Sequence, residues 1–162
     1  VKAYRITNRD HTACDGEGSR LYGGRWNHKG WPVVYFSDSE ALAVLEMLAN
    51  KTLIAPDSFA LIEAEIPAEM VDGAHRVEAG DLGVDGEWKS PVAHEQRLTR
   101  NIGTEWAREG RSAVMIVPSA VVRTGRNLIV NPRHGDFGDI TIDEPRPYGF
   151  DRRLLFGRVA GL

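Results

Sequence analysis

The chain has 162 residues, 42% hydrophobic and 27% charged, which suffices for one sizeable core, makes two independent domains a poor expectation, and leaves no apolar stretch long enough to cross a bilayer. A single domain over residues 1–162 with no membrane contact is therefore expected. Twenty Lys and Arg against 23 Asp and Glu give a net charge of −3, so no broad attraction to a nucleic-acid backbone exists. Cys14 is the only cysteine, and no positive segment followed by an apolar run opens the sequence; together these lead us to expect a cytoplasmic protein without disulfides.

Val1 to Ile6 reads as a first strand, and Asn8 to Gly24, rich in Asp, Gly, Ser and Thr, as a long loop. Gly23-Gly24-Arg25-Trp26-Asn27 ends that loop with a tight backbone path followed by charge, an aromatic plane and an amide. Val33 to Phe36 is a short β-favouring run. A helix follows, with Ser37 and Glu40 at capping-box spacing and Ser39 an equal contender for the cap. Ala41, Val44, Leu45 and Leu48 form one apolar face, and Leu42, Ala43, Met47 and Ala49 widen it so far that Glu46 stands as a carboxylate in an almost wholly apolar segment.

Phe59 to Ile66 alternates as a half-buried strand that Pro67 ends. His75 to Pro91 reads as mostly loop, Val92 to Arg108 as a helix weakened by Gly103, and Ala113 to Val117 as a strand closed by Pro118 just before Ser119. Leu128 to Val130 is a further strand leading into the Asn131-Pro132 turn, and Ile140 and Ile142 mark another. The tail from Tyr148 to Phe156 is aromatic and basic, and the chain ends too apolar for a disordered tag. These segments predict a mixed α/β (α+β) domain with more strand than helix.

Common chemistries fail by inspection. Gly16 and Gly18 begin a dinucleotide fingerprint, but position 21 is Leu21 and no strand precedes it; no phosphate-binding Walker loop and no Gly-x-Ser-x-Gly elbow is present. Histidines at 11, 28, 75, 94 and 134 lack ligand spacing, so no metal is expected. What remains are polar residues in or beside apolar segments: Arg25, Tyr35, Glu46, Ser119 and Asn131. Burial without partners would be costly. Either a ligand satisfies them, or they satisfy one another, with Arg25 pairing Glu46, Asn131 shaping its turn and Ser119 capping a helical turn.

In order along the chain, Tyr4-Arg5, Gly23-Gly24-Arg25-Trp26-Asn27, Gly30, Val33-Val34-Tyr35, Ala43, Leu45-Glu46, Ile102-Gly103, Trp106, Val117-Pro118-Ser119-Ala120 and Asn127 through Pro132 resemble the RES-domain family, whose characterised members are toxins of bacterial toxin–antitoxin pairs. The stretch from about Val71 to Trp88 carries little of this resemblance. It implies a compact fold similar to the ADP-ribosyltransferase toxins, NAD as substrate, and Arg25, Tyr35, Glu46 and Ser119 as the family's arginine, tyrosine, glutamate and serine. Cleaving the nicotinamide–ribose bond develops positive charge on the ribose, for which Glu46 is the natural carboxylate. Arg25 would grip the pyrophosphate, Tyr35 would support nicotinamide, and Ser119 would position the nicotinamide amide or its ribose; Trp26, Asn27 and Asn131 are further candidate contacts, although Trp26 reads more readily as core packing and turn support.

The expected function is an NAD-consuming toxin that transfers ADP-ribose to phosphate or water. The alternatives are a protein ADP-ribosyltransferase with a protein acceptor and a non-catalytic nucleotide-binding regulatory module. The resemblance also implies an antitoxin partner with a helix-turn-helix domain, through which alone this acidic chain would meet DNA.

Overall fold

A computed structural model describes residues 1–50, 58–83, 86–92 and 94–154. The strands are β1 (Lys2–Asn8), β2 (Val34–Ser37), β3 (Phe59–Glu65), β4 (His75–Arg76), β5 (Val114–Pro118), β6 (Arg126–Val130), β7 (Thr141–Ile142) and β8 (Arg146–Tyr148); the helices are α1 (Glu17–Tyr22), α2 (Glu40–Asn50), α3 (Ala68–Asp72) and α4 (Arg97–Glu109). One mixed sheet runs β4-β5-β6-β2-β1-β3-β7, with β8 beside β3. Only β4 and β5 pair in parallel. This is the α+β domain the sequence predicts.

β1 is fully registered against β3, from Lys2 opposite Glu65 to Asn8 opposite Phe59. β2 is likewise paired along its length with β6. Between β1 and β2, however, the register holds only Tyr4 opposite Ser37. Two well-made halves thus touch at one point in the middle of the sheet.

Alternation along the strands sends Ala3, Val34, Phe36, Ile62, Ala64, Ile116, Leu128 and Val130 into one core. On the other face, Val33, Met115, Val117 and Ile129 join Trp26, Trp88 and Trp106. On that second face, α2 contributes Val44, Met47 and Leu48 to a cluster with Phe59 and Phe150. Phe150 stands edge-on to both Phe59 and Tyr148, with centroids 5.3 and 5.1 Å away.

Several expectations change. Within the predicted loop Asn8–Gly24 lies α1, which propensity hides because it carries Gly18 and Ser19. Tertiary bonds hold it: Ser19 Oγ donates to the Val33 carbonyl at 2.7 Å and accepts from its N–H at 2.8 Å. On α2, Ala41 and Leu45 are exposed and Leu42, Ala43 and Met47 are buried with Val44 and Leu48, so the buried face is rotated from the predicted one. Ser39, not Ser37, caps it, accepting from the Leu42 N–H at 3.3 Å. α4 starts later than predicted, β4 forms within the expected loop, and helix and strand take comparable shares of the described residues. Residue 93, residues 155–156 of the tail and the apolar chain end lie outside the described residues. Among the described residues no helix is long and apolar enough to cross a membrane.

Gly103 on α4 meets the loop preceding β2 face to face: a Cβ there would overlap the Trp26 carbonyl oxygen and come within 2.9 Å of its carbon and 3.2 Å of Met115 Cε. Gly103→Ala sets a helix-propensity gain of about 1 kcal/mol against overpacking worth about 1–3 kcal/mol. Because the obstacle is backbone, overpacking prevails. The thermal midpoint of G103A, followed by circular dichroism, should fall below the parent's; an equal or higher midpoint would show that the two segments part without cost.

Candidate active site

The gap between β1 and β2 is a cleft of about 230 Å³ lined by Tyr4, Arg5, Ile6, Tyr35, Phe36 and Ser37 from the strands, Ala43, Glu46, Met47 and Asn50 from α2, and Asn127 from β6. The α2 residues recur at helical spacing, so one face of that helix forms a wall.

Glu46 is the acidic group of the cleft. Its Oε1 accepts from Ser119 Oγ and from Asn127 Nδ2, both at 2.7 Å. Ser119 also accepts from the Val121 and Val122 N–H groups at 3.0 Å each. Its proton goes to Glu46 and its oxygen caps the turn after β5, so both readings of this serine, partner of a site residue and cap, coexist. Asn127 in turn accepts at Oδ1 from Ser37 Oγ, 2.8 Å away.

Arg25 does not pair with Glu46. Its Nη1 donates to the carbonyls of Trp88 and of Ser90, the latter at 3.0 Å, which ties the β2 entry loop to the segment before α4. Burial pulls its pKa down while the Glu46 carboxylate opposes that shift from a distance; the group remains charged.

Tyr35 sends its hydroxyl away from the open cleft, donating to Asn27 Oδ1 at 2.7 Å and accepting from the Trp26 N–H at 3.1 Å. Burial pushes the phenol's pKa up. Gly24 makes the arrangement fit: a Cβ there would strike the Tyr35 hydroxyl and lie 2.8 Å from Asn27 Oδ1. Asn27 is fully buried, and its Nδ2 donates to the carbonyls of Ser19 at 2.8 Å, Trp31 at 2.9 Å and His28 at 3.2 Å. Trp26 is 2% exposed and sits in the tryptophan core. Asn131 lies away from the cleft lining, donating to the Ala107 carbonyl at 3.1 Å and accepting from the Arg133 N–H at 3.0 Å. Of the residues expected from sequence, Tyr35 and Glu46 thus line the cleft, Ser119 reaches it through Glu46, and Trp26, Asn27 and Asn131 are engaged within the protein.

Arg5 is a cleft residue that the sequence marks only as part of the Tyr4-Arg5 pair and not as a candidate for the site. Its Nη1 donates to the Tyr35 carbonyl at 3.3 Å, occupying the place of a strand-to-strand bond where β1 and β2 part. Its Nε is shut off from solvent with no hydrogen-bond partner. Burial lowers its pKa, opposed by Cys14, Asp15 and Tyr35. An arginine in the middle of a strand that must lie inside a sheet is the signal that could have marked it. Asn127 was marked only as the start of the run ending in Pro132.

Fold and site together define a class: an α+β domain whose mixed sheet is parted at its centre, with a carboxylate held over the parting. The crystal structure of the M. tuberculosis MbcT-MbcA toxin-antitoxin complex has a chain of this fold, with a TM-score of 0.64, 17% identity, and coverage of 98% of this chain and 89% of that one. The RES domain family model matches residues 2–151, and the chain belongs to the RES-domain family. It is 36% identical over 154 residues to a protein named Toxin Res from Yersinia enterocolitica, covering 93% of this chain and 97% of that protein. It is 34% identical over 141 residues to a Prs ADP-ribosylating toxin from Sphingobium sp., covering 86% and 85%.

The Tyr35 hydroxyl generates a two-part prediction. Tyr35→Phe leaves the Asn27 Oδ1 and the Trp26 N–H without their partner, so urea unfolding at neutral pH should show a loss of about 1–3 kcal/mol. In the unfolded chain a tyrosine ionises near pH 10, whereas in the fold Tyr35 keeps its proton to higher pH. Above about pH 10 the unfolded state therefore holds fewer protons, and stability falls as pH rises, by up to about 1.4 kcal/mol per unit from this group. The Y35F variant should lose that part of the slope; an unchanged alkaline slope would refute the burial of this phenol.

Proposed function

We propose that this protein is an NAD-consuming toxin that cleaves the nicotinamide–ribose bond and transfers ADP-ribose to phosphate or water. The observation that carries the reading is Glu46: a carboxylate facing a cleft, fixed through one oxygen by two neutral donors and, among the described residues, in no ion pair. As nicotinamide leaves as a neutral base, the ribose acquires positive charge, and a preoriented carboxylate lowers that barrier more than it stabilises the uncharged ground state.

Groups in and beside the cleft suit the rest of the substrate. The cleft is smaller than the ~300–1,000 Å³ of sites that enclose a whole drug-sized ligand, so it takes the nicotinamide riboside end while the adenosine lies outside. The Tyr35 ring, its hydroxyl already bound, offers a face for nicotinamide. Arg5, which lines the cleft, and Arg25, on the loop that leads into β2, supply guanidinium groups for the pyrophosphate. Ser119 holds Glu46. No metal takes part in the reading, and among the described residues no three His, Cys, Asp or Glu are grouped to hold one.

A second reading, transfer of ADP-ribose to a protein, is favoured by the relative named as an ADP-ribosylating toxin. NAD labelled in its adenine separates the two: label on a protein in lysate supports transfer to protein, soluble ADP-ribose products support the first reading. Repeated turnover per protein molecule excludes a regulatory module that merely holds a nucleotide. The toxin-antitoxin complex of the structural neighbour supports an antitoxin partner here, and we assign DNA contact, through a helix-turn-helix domain, to that partner.

Glu46→Gln keeps an oxygen for Ser119 and Asn127 to donate to, so it should fold as the parent does while losing the negative charge. NAD consumption by the purified variant should fall about a hundredfold or more, equivalent to roughly 3 kcal/mol of transition-state stabilisation. A folded E46Q that consumes NAD within about threefold of the parent rate removes Glu46 from the chemistry.

A further inference from the structure

Ser37 and Asn127 are direct cross-strand partners on β2 and β6, and Asn127 also pairs with Val117 on β5. Its backbone is therefore clamped on both sides near the middle of the sheet, where strands have least freedom. A carboxylate is acceptor-only, so Asn127 must turn its NH2 toward Glu46, which leaves Oδ1 for a donor. Ser37, 5% exposed, supplies that donor at 2.8 Å. The sequence of bonds runs one way, from the Ser37 hydroxyl through the Asn127 amide to Glu46 Oε1.

Glu46 needs this support. Three side-chain torsions separate its carboxylate from α2, and catalytic geometry tolerates displacements well under 1 Å. One donor on Oε1 would leave the group free to swing about it. Two donors from different elements, Ser119 after β5 and Asn127 on β6, stop both the swing and the twist, and so set where Oε2 points. We infer that Asn127, seated by Ser37, is a positioning residue that aims Glu46 Oε2 into the cleft. The inference rests on the assignment of Glu46 made above.

The test uses steady-state NAD consumption by the purified chain. Asn127→Ala, which deletes the donor, and Asn127→Asp, which replaces it with a second acceptor, should lower kcat by about tenfold to a hundredfold with KM nearly unchanged. Ser37→Ala should lower kcat less, and Ser37→Thr, which keeps the hydroxyl, should restore it; that pair carries the test if the Asn127 variants do not fold. In an E46Q background, Asn127→Ala should cost nothing further, because it acts only through the carboxylate. Parental kcat in folded N127A and N127D, a raised KM at unchanged kcat, equal kcat in S37A and S37T, or losses that multiply with E46Q each overturn the inference. An active E46Q refutes the role of Glu46 itself, whereas an inactive E46Q beside a parental N127A refutes only the positioning.

Discussion

A sheet that parts between two of its central strands has to satisfy, with side chains, backbone groups that a continuous ladder would satisfy on its own. β1 is paired along its full length with β3, and β2 along its full length with β6, while residues of both pairs pack into one core. They share only Tyr4 and Ser37. Beyond that pair the Tyr35 carbonyl is met by the Arg5 guanidinium instead of a neighbouring strand. The polar lining of the cleft follows from this one interruption, and so does the space for a ligand in the heart of the fold.

Charge in that space is arranged to stay available. The economical way to bury a carboxylate and an arginine is to pair them, at the cost of cancelling both. Here Glu46 leans on a hydroxyl and an amide, Arg25 leans on two carbonyls, and Arg5 on one. None of these bonds joins Glu46 to either arginine. The aromatic and amide groups around them, Tyr35 and Asn27, are bound to each other and to the backbone, which keeps the entry loop in one conformation before any ligand arrives.

How much of this was legible depends on how local the determining forces are. Strands with clear alternation, such as Phe59 to Ile66, and the apolar runs at Val33 to Phe36 and Ala113 to Val117 could be placed from sequence because burial imposes their period. Glu46 stood out because a carboxylate in an apolar helix requires an explanation. α1 could not be read, since Ser19 and Gly16 acquire their helical role from contacts with Val33 that are distant in sequence. The rotated face of α2 was hidden for a related reason: alanine and leucine nearly encircle it, and only the position of β1 and β2 decides which side is buried. Arg5 and Asn127 gain meaning from strand order, which no local pattern encodes. Asn27 and Asn131 look alike as candidate ligand contacts, and only geometry shows each bracing its own turn.

The bonds that complete Glu46 join residues 73 and 81 positions apart. Contacts of that span close late, because the chain between them must first be ordered. The excursion from β1 to β2 combines near-neighbour bonds, such as Asn27 to Ser19 and Trp31, with bonds to α4 and the segment before it, from Arg25 to the Trp88 and Ser90 carbonyls and from Thr99 to the Arg25 carbonyl. During synthesis α2 therefore emerges well before either donor to its carboxylate, and the entry loop before the residues of α4 that complete it. The carboxylate of α2 thus gains its second donor only once β6 has emerged, so its fixed orientation belongs to the finished fold and not to the helix that carries it.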